Sequence, residues 1–157
     1  MKPTVYIETS VISYLTARPS RDLVVAAHQQ ITSEWWELAL PKLEGFISAL
    51  VLEEIARGDP QAAQLRLQRV AAFPVLEVVH EVQELAEAYF AEINIPEKAR
   101  ADAYHLALAT WHGIEYLVSW NSTHIVSARV RMILEEVNSR FDIRTPIVCT
   151  PEELMEI

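Results

Sequence analysis

A chain of 157 residues, 51% apolar and with only 3 Gly and 8 Pro, suffices for one folded domain with a real core, and excludes a disordered or repeat protein. A net charge of −9 argues against non-specific nucleic-acid binding, which depends on counterion release by Lys and Arg. The wholly apolar runs are only a few residues long, which excludes a membrane span; the single Cys149 excludes an internal disulfide and fits a reducing cytoplasm.

In chain order, Met1–Thr4 leads directly into a strand over residues 4–8, leaving no room for a signal peptide. A short helix over 10–16 is broken by "RPSRDL", and a longer one over 22–39 ends before Pro41. "EGFISAL" is a second strand, running into the helix "LVLEEIARG", which Gly58 stops. "DPQAAQLRLQRVAAF" is a helix with Asp59 as N-cap and Pro60 at its first position. "PVLEVV" is the third strand, followed by the helix "EVQELAEAYFAEI", and "ARADAYHLALATWHG" is a helix closed by Gly113. "EYLVSW" is the fourth strand, "NSTHI" a loop, "SARVRMILEEVNSR" a helix, "PIVCT" the last strand and "PEELMEI" a terminal helix. Strands separated by helices need crossover connections. The expected fold is therefore one α/β domain over 1–157, a three-layer α/β/α sandwich with a mostly parallel sheet of about five strands.

Ligands of such sheets bind outside the carboxyl ends of the strands. Four sequence-distant oxygen donors are expected there. Glu8 ends the first strand, Asn121 follows the fourth, Asp102 opens the preceding helix, and one of the consecutive Glu53 and Glu54 faces inward. Neighbouring carboxylates on an apolar framework repel and lose solvation, and a hard oxygen-seeking dication such as Mg2+ or Mn2+ offsets both. No zinc-ligand spacing and no phosphate-cradling Gly-rich loop is present. Singly, each residue has a structural alternative: Glu8 and Asp102 as helix-start acids, Asn121 as a turn residue, the outward Glu as a solvated charge.

"VYIETSVISYL" resembles the opening motif of PIN domains, the fold of many VapC-like toxin ribonucleases, in which a short strand ends in an acid with a small polar residue two positions on. "ISALVLEEIARGD" resembles the second motif, in a register that gives the acid position to Glu54 and not Glu53. "ARADAYHLALATWHGIEYLVSWNSTHI" resembles the third and fourth motifs together, with Asp102 and Asn121 at their acid positions, and "TPIVCTPEEL" resembles the last strand and terminal helix. The resemblance covers the whole chain. It implies a metal-dependent endoribonuclease with Mg2+ or Mn2+ held by Glu8, Glu54, Asp102 and Asn121, and an RNA substrate. It also implies a homodimer and a small antitoxin partner, as in type II toxin–antitoxin pairs. The family pattern has Asp at the place of Glu8 and often at that of Asn121, which implies one tightly held ion and a second arriving with substrate. The same departures motivate an alternative, a PIN-fold binding or regulatory module with weakened catalysis. A receiver-like or dehalogenase-like phosphotransfer protein would need an Asp nucleophile where Glu8 stands.

Around this set, Ser10 is placed to hydrogen-bond a ligand carboxylate, and Thr9 to be structural. His105, three residues after Asp102, either contacts a ligand or substrate phosphate or is a satisfied, partly buried histidine. His124 either approaches RNA or caps its loop. Arg18, Arg21, Lys98 and Arg100 make either a basic rim or solvated surface charge. Trp35 and Trp36 cannot both face the core, Trp111 is expected in it, and Trp120 is expected beside the pocket, where it either packs or stacks on a base.

Overall fold

The computed structural model describes residues 1–157. Five strands, β1 (Thr4–Ile7), β2 (Glu44–Ser48), β3 (Val75–Leu76), β4 (Tyr116–Val118) and β5 (Ile147–Cys149), form an all-parallel sheet in the order β3-β2-β1-β4-β5. Seven helices connect them: α1 (Thr9–Thr16), α2 (Leu23–Glu34), α3 (Ala49–Ile55), α4 (Pro60–Val70), α5 (His80–Ile93), α6 (Arg100–Trp111) and α7 (Ala128–Arg140). A wider π-helical turn, Trp35–Ala39, extends α2 toward Pro41, as the long predicted helix requires.

Right-handed crossovers are the rule for parallel strands. The path β1 to β2 to β3 steps one way across the sheet, and β3 to β4 to β5 steps the other. That rule assigns α1–α4 to one face and α5–α7 to the other. The packing agrees: α1 contacts α2, α3 and α4, whereas α5 contacts α6 and α7. The result is the expected three-layer sandwich, its core a single cluster of 36 buried apolar residues in which Val5, Tyr6 and Ile7 of the central strand are wholly buried. The chain direction reverses across the sheet between β1 and β4, so the crevice at their carboxyl ends is the topological switch point. No helix is long and apolar enough to cross a membrane.

Local chemistry sets the boundaries. The Asp22, Ser48, Asp59 and Ser127 side chains each accept a backbone N–H at the start of a helix. Gly58 and Gly113, the predicted helix stops, have φ of 85° and 71°, a left-handed backbone that side chains with a Cβ resist. Three expectations need correction. β3 has only two residues, because it lies at the sheet edge and pairs with β2 alone. Trp111 is 42% exposed: α6 is buried all round from His105 to Thr110, so its pattern does not mark an outward face, and the ring at its end is only partly covered. "PEELMEI" forms turns and no helix. Thr150 and Glu153 exchange reciprocal bonds of 3.0 and 3.2 Å, a capping box, but too few residues follow to propagate a helix. Of the tryptophan pair, Trp35 is fully buried and Trp36 half-buried against Phe73.

Candidate metal centre

Glu8 follows β1 and still belongs to the ladder, its N–H donating to the Val118 carbonyl at 3.1 Å. Its backbone caps α1, but its carboxylate makes no capping bond. Instead Oε1 accepts from two hydroxyls, Ser10 Oγ and Ser119 Oγ, each at 2.5 Å. Ser10 also accepts the Trp120 N–H at 2.9 Å, so one serine ties the ends of β1 and β4 together. The carboxylate that opened as a possible helix cap is thus a buried group, 5% exposed, held from both sides of the switch point.

Glu54 comes from α3, whose start at Ser48 is fixed by a Ser48 Oγ bond to the Val51 N–H at 3.1 Å. The helical register turns Glu54 inward and Glu53 out, where it pairs with Arg57 at 2.8 Å. Glu54 Oε1 accepts from Thr9 Oγ1 at 2.5 Å and lies 2.6 Å from His105 Nε2. His105 is fully buried. Its Nδ1 lies 2.7 Å from the Tyr6 hydroxyl, which lies 2.8 Å from Ser48 Oγ. A buried line of polar groups therefore runs from the start of α3 through β1 and α6 to Glu54.

The electrostatics follow from this arrangement. Burial by itself raises the Glu54 pKa, but the hydrogen bond and charge of His105, with help from the Thr9 hydroxyl, outweigh it and hold the carboxyl below its ordinary range. Burial by itself lowers the His105 pKa. The Glu54 bond and the charges of Glu8, Glu54 and Asp102 outweigh it and raise the imidazole above its ordinary value. Burial pushes the Tyr6 phenol well above its ordinary value, so it stays protonated.

Compared with protein-family models and with curated proteins, the chain matches none.

Glu8, Glu54 and His105 place one ligand atom each within 4.8 Å of one another. Asp102, in the first turn of α6, stands outside that group, and its Oδ2 is 2.9 Å from His124 Nδ1. Asn121 organises the loop after β4: its Oδ1 accepts the His124 N–H at 3.0 Å, and its own N–H donates to Ser119 Oγ at 2.9 Å. His124 accordingly faces Asp102. Arg100 bonds Glu87 and Glu97, so it is not a free cation of a basic rim. Trp120 stands beside Ser119, stacked on His28 at 4.0 Å with its indole N–H on Thr32.

The donor set fits a divalent ion. In each carboxylate one oxygen is fixed and the other is free of protein hydrogen bonds: Oε1 against Oε2 in Glu8 and Glu54, and Oδ2 against Oδ1 in Asp102. Carboxylates braced in this way present ready lone pairs to a hard cation. Sequence reasoning missed the bracing groups Thr9, Ser119, Tyr6 and Ser48. Thr9 directly follows Glu8, a hydroxyl next to an acid, and Ser119 directly follows β4, its place at a strand end being the available signal. Tyr6 gave none, being an aromatic in an apolar strand.

Proposed function

We propose that the protein is a metal-dependent endoribonuclease that hydrolyses RNA phosphodiester bonds, the toxin of a type II toxin–antitoxin pair. The observation that carries this reading is the trio of carboxylates, Glu8, Glu54 and Asp102, each braced through one oxygen and free at the other, near the switch point of an all-parallel sheet. The resemblance of the same residues to the PIN motifs supports it. A divalent ion bound there supplies water activation and charge neutralisation for phosphodiester hydrolysis. The chain's own residues hold the ligands: Ser10 and Ser119 orient Glu8, Thr9 and His105 orient Glu54, and His124 orients Asp102. Asn121 keeps the loop carrying His124 in place. A homodimer and a small antitoxin are part of this proposal.

The test is cleavage of labelled RNA with Mg2+ or Mn2+. Activity is expected to vanish in chelator and to fall about 100-fold or more in Asp102→Asn, which keeps the side chain's shape. Full activity in chelator, or none in any divalent ion, overturns the reading. One observation favours the alternative, a PIN-fold binding module with weakened catalysis: Asp102 is paired with His124 outside the Glu8–Glu54 group, and Asn121 brings no charge. Metal-independent RNA binding without cleavage would establish that alternative.

A further inference from the structure

Resting on the metal-site reading above, we propose that His105 Nε2 is a protein ligand of the ion, with the Tyr6 hydroxyl as its outer partner, so that the centre selects a first-row transition dication over Mg2+. Three observations carry this. First, the nitrogen is where a ligand belongs. His105 Nε2 lies 2.6 Å from Glu54 Oε1 and 4.0 Å from Glu8 Oε2. Around an octahedral ion with bonds of about 2.1 Å, neighbouring ligand atoms are about 3 Å apart and opposite ones about 4.2 Å. One ligand atom each from Glu8, Glu54 and His105 lies within 4.8 Å of the others, which is compatible with those spacings.

Second, Glu8 Oε2 makes no hydrogen bond within the protein, and His105 Nε2 stands 4.0 Å from it. Hydroxyls already hold Oε1, so Oε2 is the oxygen left to take an ion.

Third, the far side of the ring is built as metal-binding histidines require. Such rings donate the other N–H to a fixed acceptor, which sets the tautomer and aims the lone pair. Here Nδ1 lies 2.7 Å from the Tyr6 oxygen, which lies 2.8 Å from Ser48 Oγ, so a proton on Nδ1 has a fixed acceptor. The Ser48 oxygen is itself anchored by the Val51 N–H. Without an ion, Nε2 donates its proton to Glu54 Oε1; an ion bound there would take that proton's place while a proton on Nδ1 holds the ring against Tyr6. An imidazole among carboxylates shifts preference from Mg2+, which favours oxygen throughout, toward Mn2+ and the later first-row ions.

The test is pulsed EPR on the intact protein loaded with Mn2+, with Mg2+ as competitor. The expected result is a 14N coupling from a directly bound imidazole that is replaced by a 15N coupling in protein labelled at histidine. The coupling should persist in His124→Gln, and Mg2+ should displace Mn2+ only at tenfold excess or more. Tyr6→Phe, which retains the ring, should weaken Mn2+ binding by about 10–100-fold. Mn2+ bound with no nitrogen coupling, or a coupling that disappears in His124→Gln, overturns the ligand assignment and leaves the nuclease reading standing. Failure to bind Mn2+ at all overturns both.

Discussion

The two faces of α3 carry consecutive glutamates with opposite fates. Glu53 pairs with Arg57 in water, the side chains 65% and 66% exposed. Glu54 pairs with a fully buried His105, its own side chain 21% exposed. The outer pair gains little, because solvent screens it and two long side chains must be ordered to make it. The inner pair is held among groups that have lost their water, so each partner depends on the other for compensation. One residue's step along a helix thus separates a decorative ion pair from a structural and chemical one.

The largest effect that would break this contrast is His105→Ala. It leaves the Tyr6 hydroxyl and the Glu54 carboxylate without their shared partner and should destabilise the metal-free protein by about 3–5 kcal/mol. Urea unfolding in chelator measures it, and a loss under 1 kcal/mol would put the inner face on a par with the outer. Tyr6→Phe keeps the buried ring but strips one hydroxyl from the line and should cost about 1–3 kcal/mol by the same measurement.

Scanning pH sharpens the comparison further. The Glu54 pKa is lowered by folding, so its contribution is full above the unfolded value and is lost as pH falls through the folded one. The His105 pKa is raised by folding, so its contribution is full below the unfolded value and is lost as pH rises through the folded one. Stability from the pair should therefore peak between about pH 4.5 and 6.5 in chelator and decline on both sides. Glu54→Gln should flatten the alkaline limb and remove its own acid limb; an unchanged profile would show the pair to be inert. The smallest effect is expected from Glu53→Gln, within about 0.5 kcal/mol of wild type at any pH near neutral.

The alternation of strands and helices was readable because apolar runs, capping residues and glycine stops all agree, and the parallel sheet follows from it. Helix geometry allowed only one of Glu53 and Glu54 to face a shared pocket, because consecutive residues are turned 100° apart, and the resemblance to the second PIN motif singled out Glu54. Less was legible inside the sheet. Tyr6 and His105 are 99 residues apart, and nothing local marks a tyrosine in a buried strand as a hydrogen-bond partner. The periodicity of α6 fails for the same reason that Trp111 was misplaced: a helix apolar on every side shows no preferred face. His105 could be put on the Asp102 side of α6 by its spacing. That the fully buried ring would meet Glu54, and that Asp102 would meet His124, required tertiary packing.

The strand at the middle of the sheet is also the earliest in the chain. Glu8 waits for a hydroxyl 111 residues further on, supplied by Ser119 beyond β4. Until β4 docks, β1 has an open edge on that side and its carboxylate lacks half its support. A growing or prematurely ended chain therefore cannot carry a finished site, however well its first helices form. Synthesis of the first strand and completion of the Glu8 support are separated in time, and a fragment released early lacks that support by construction.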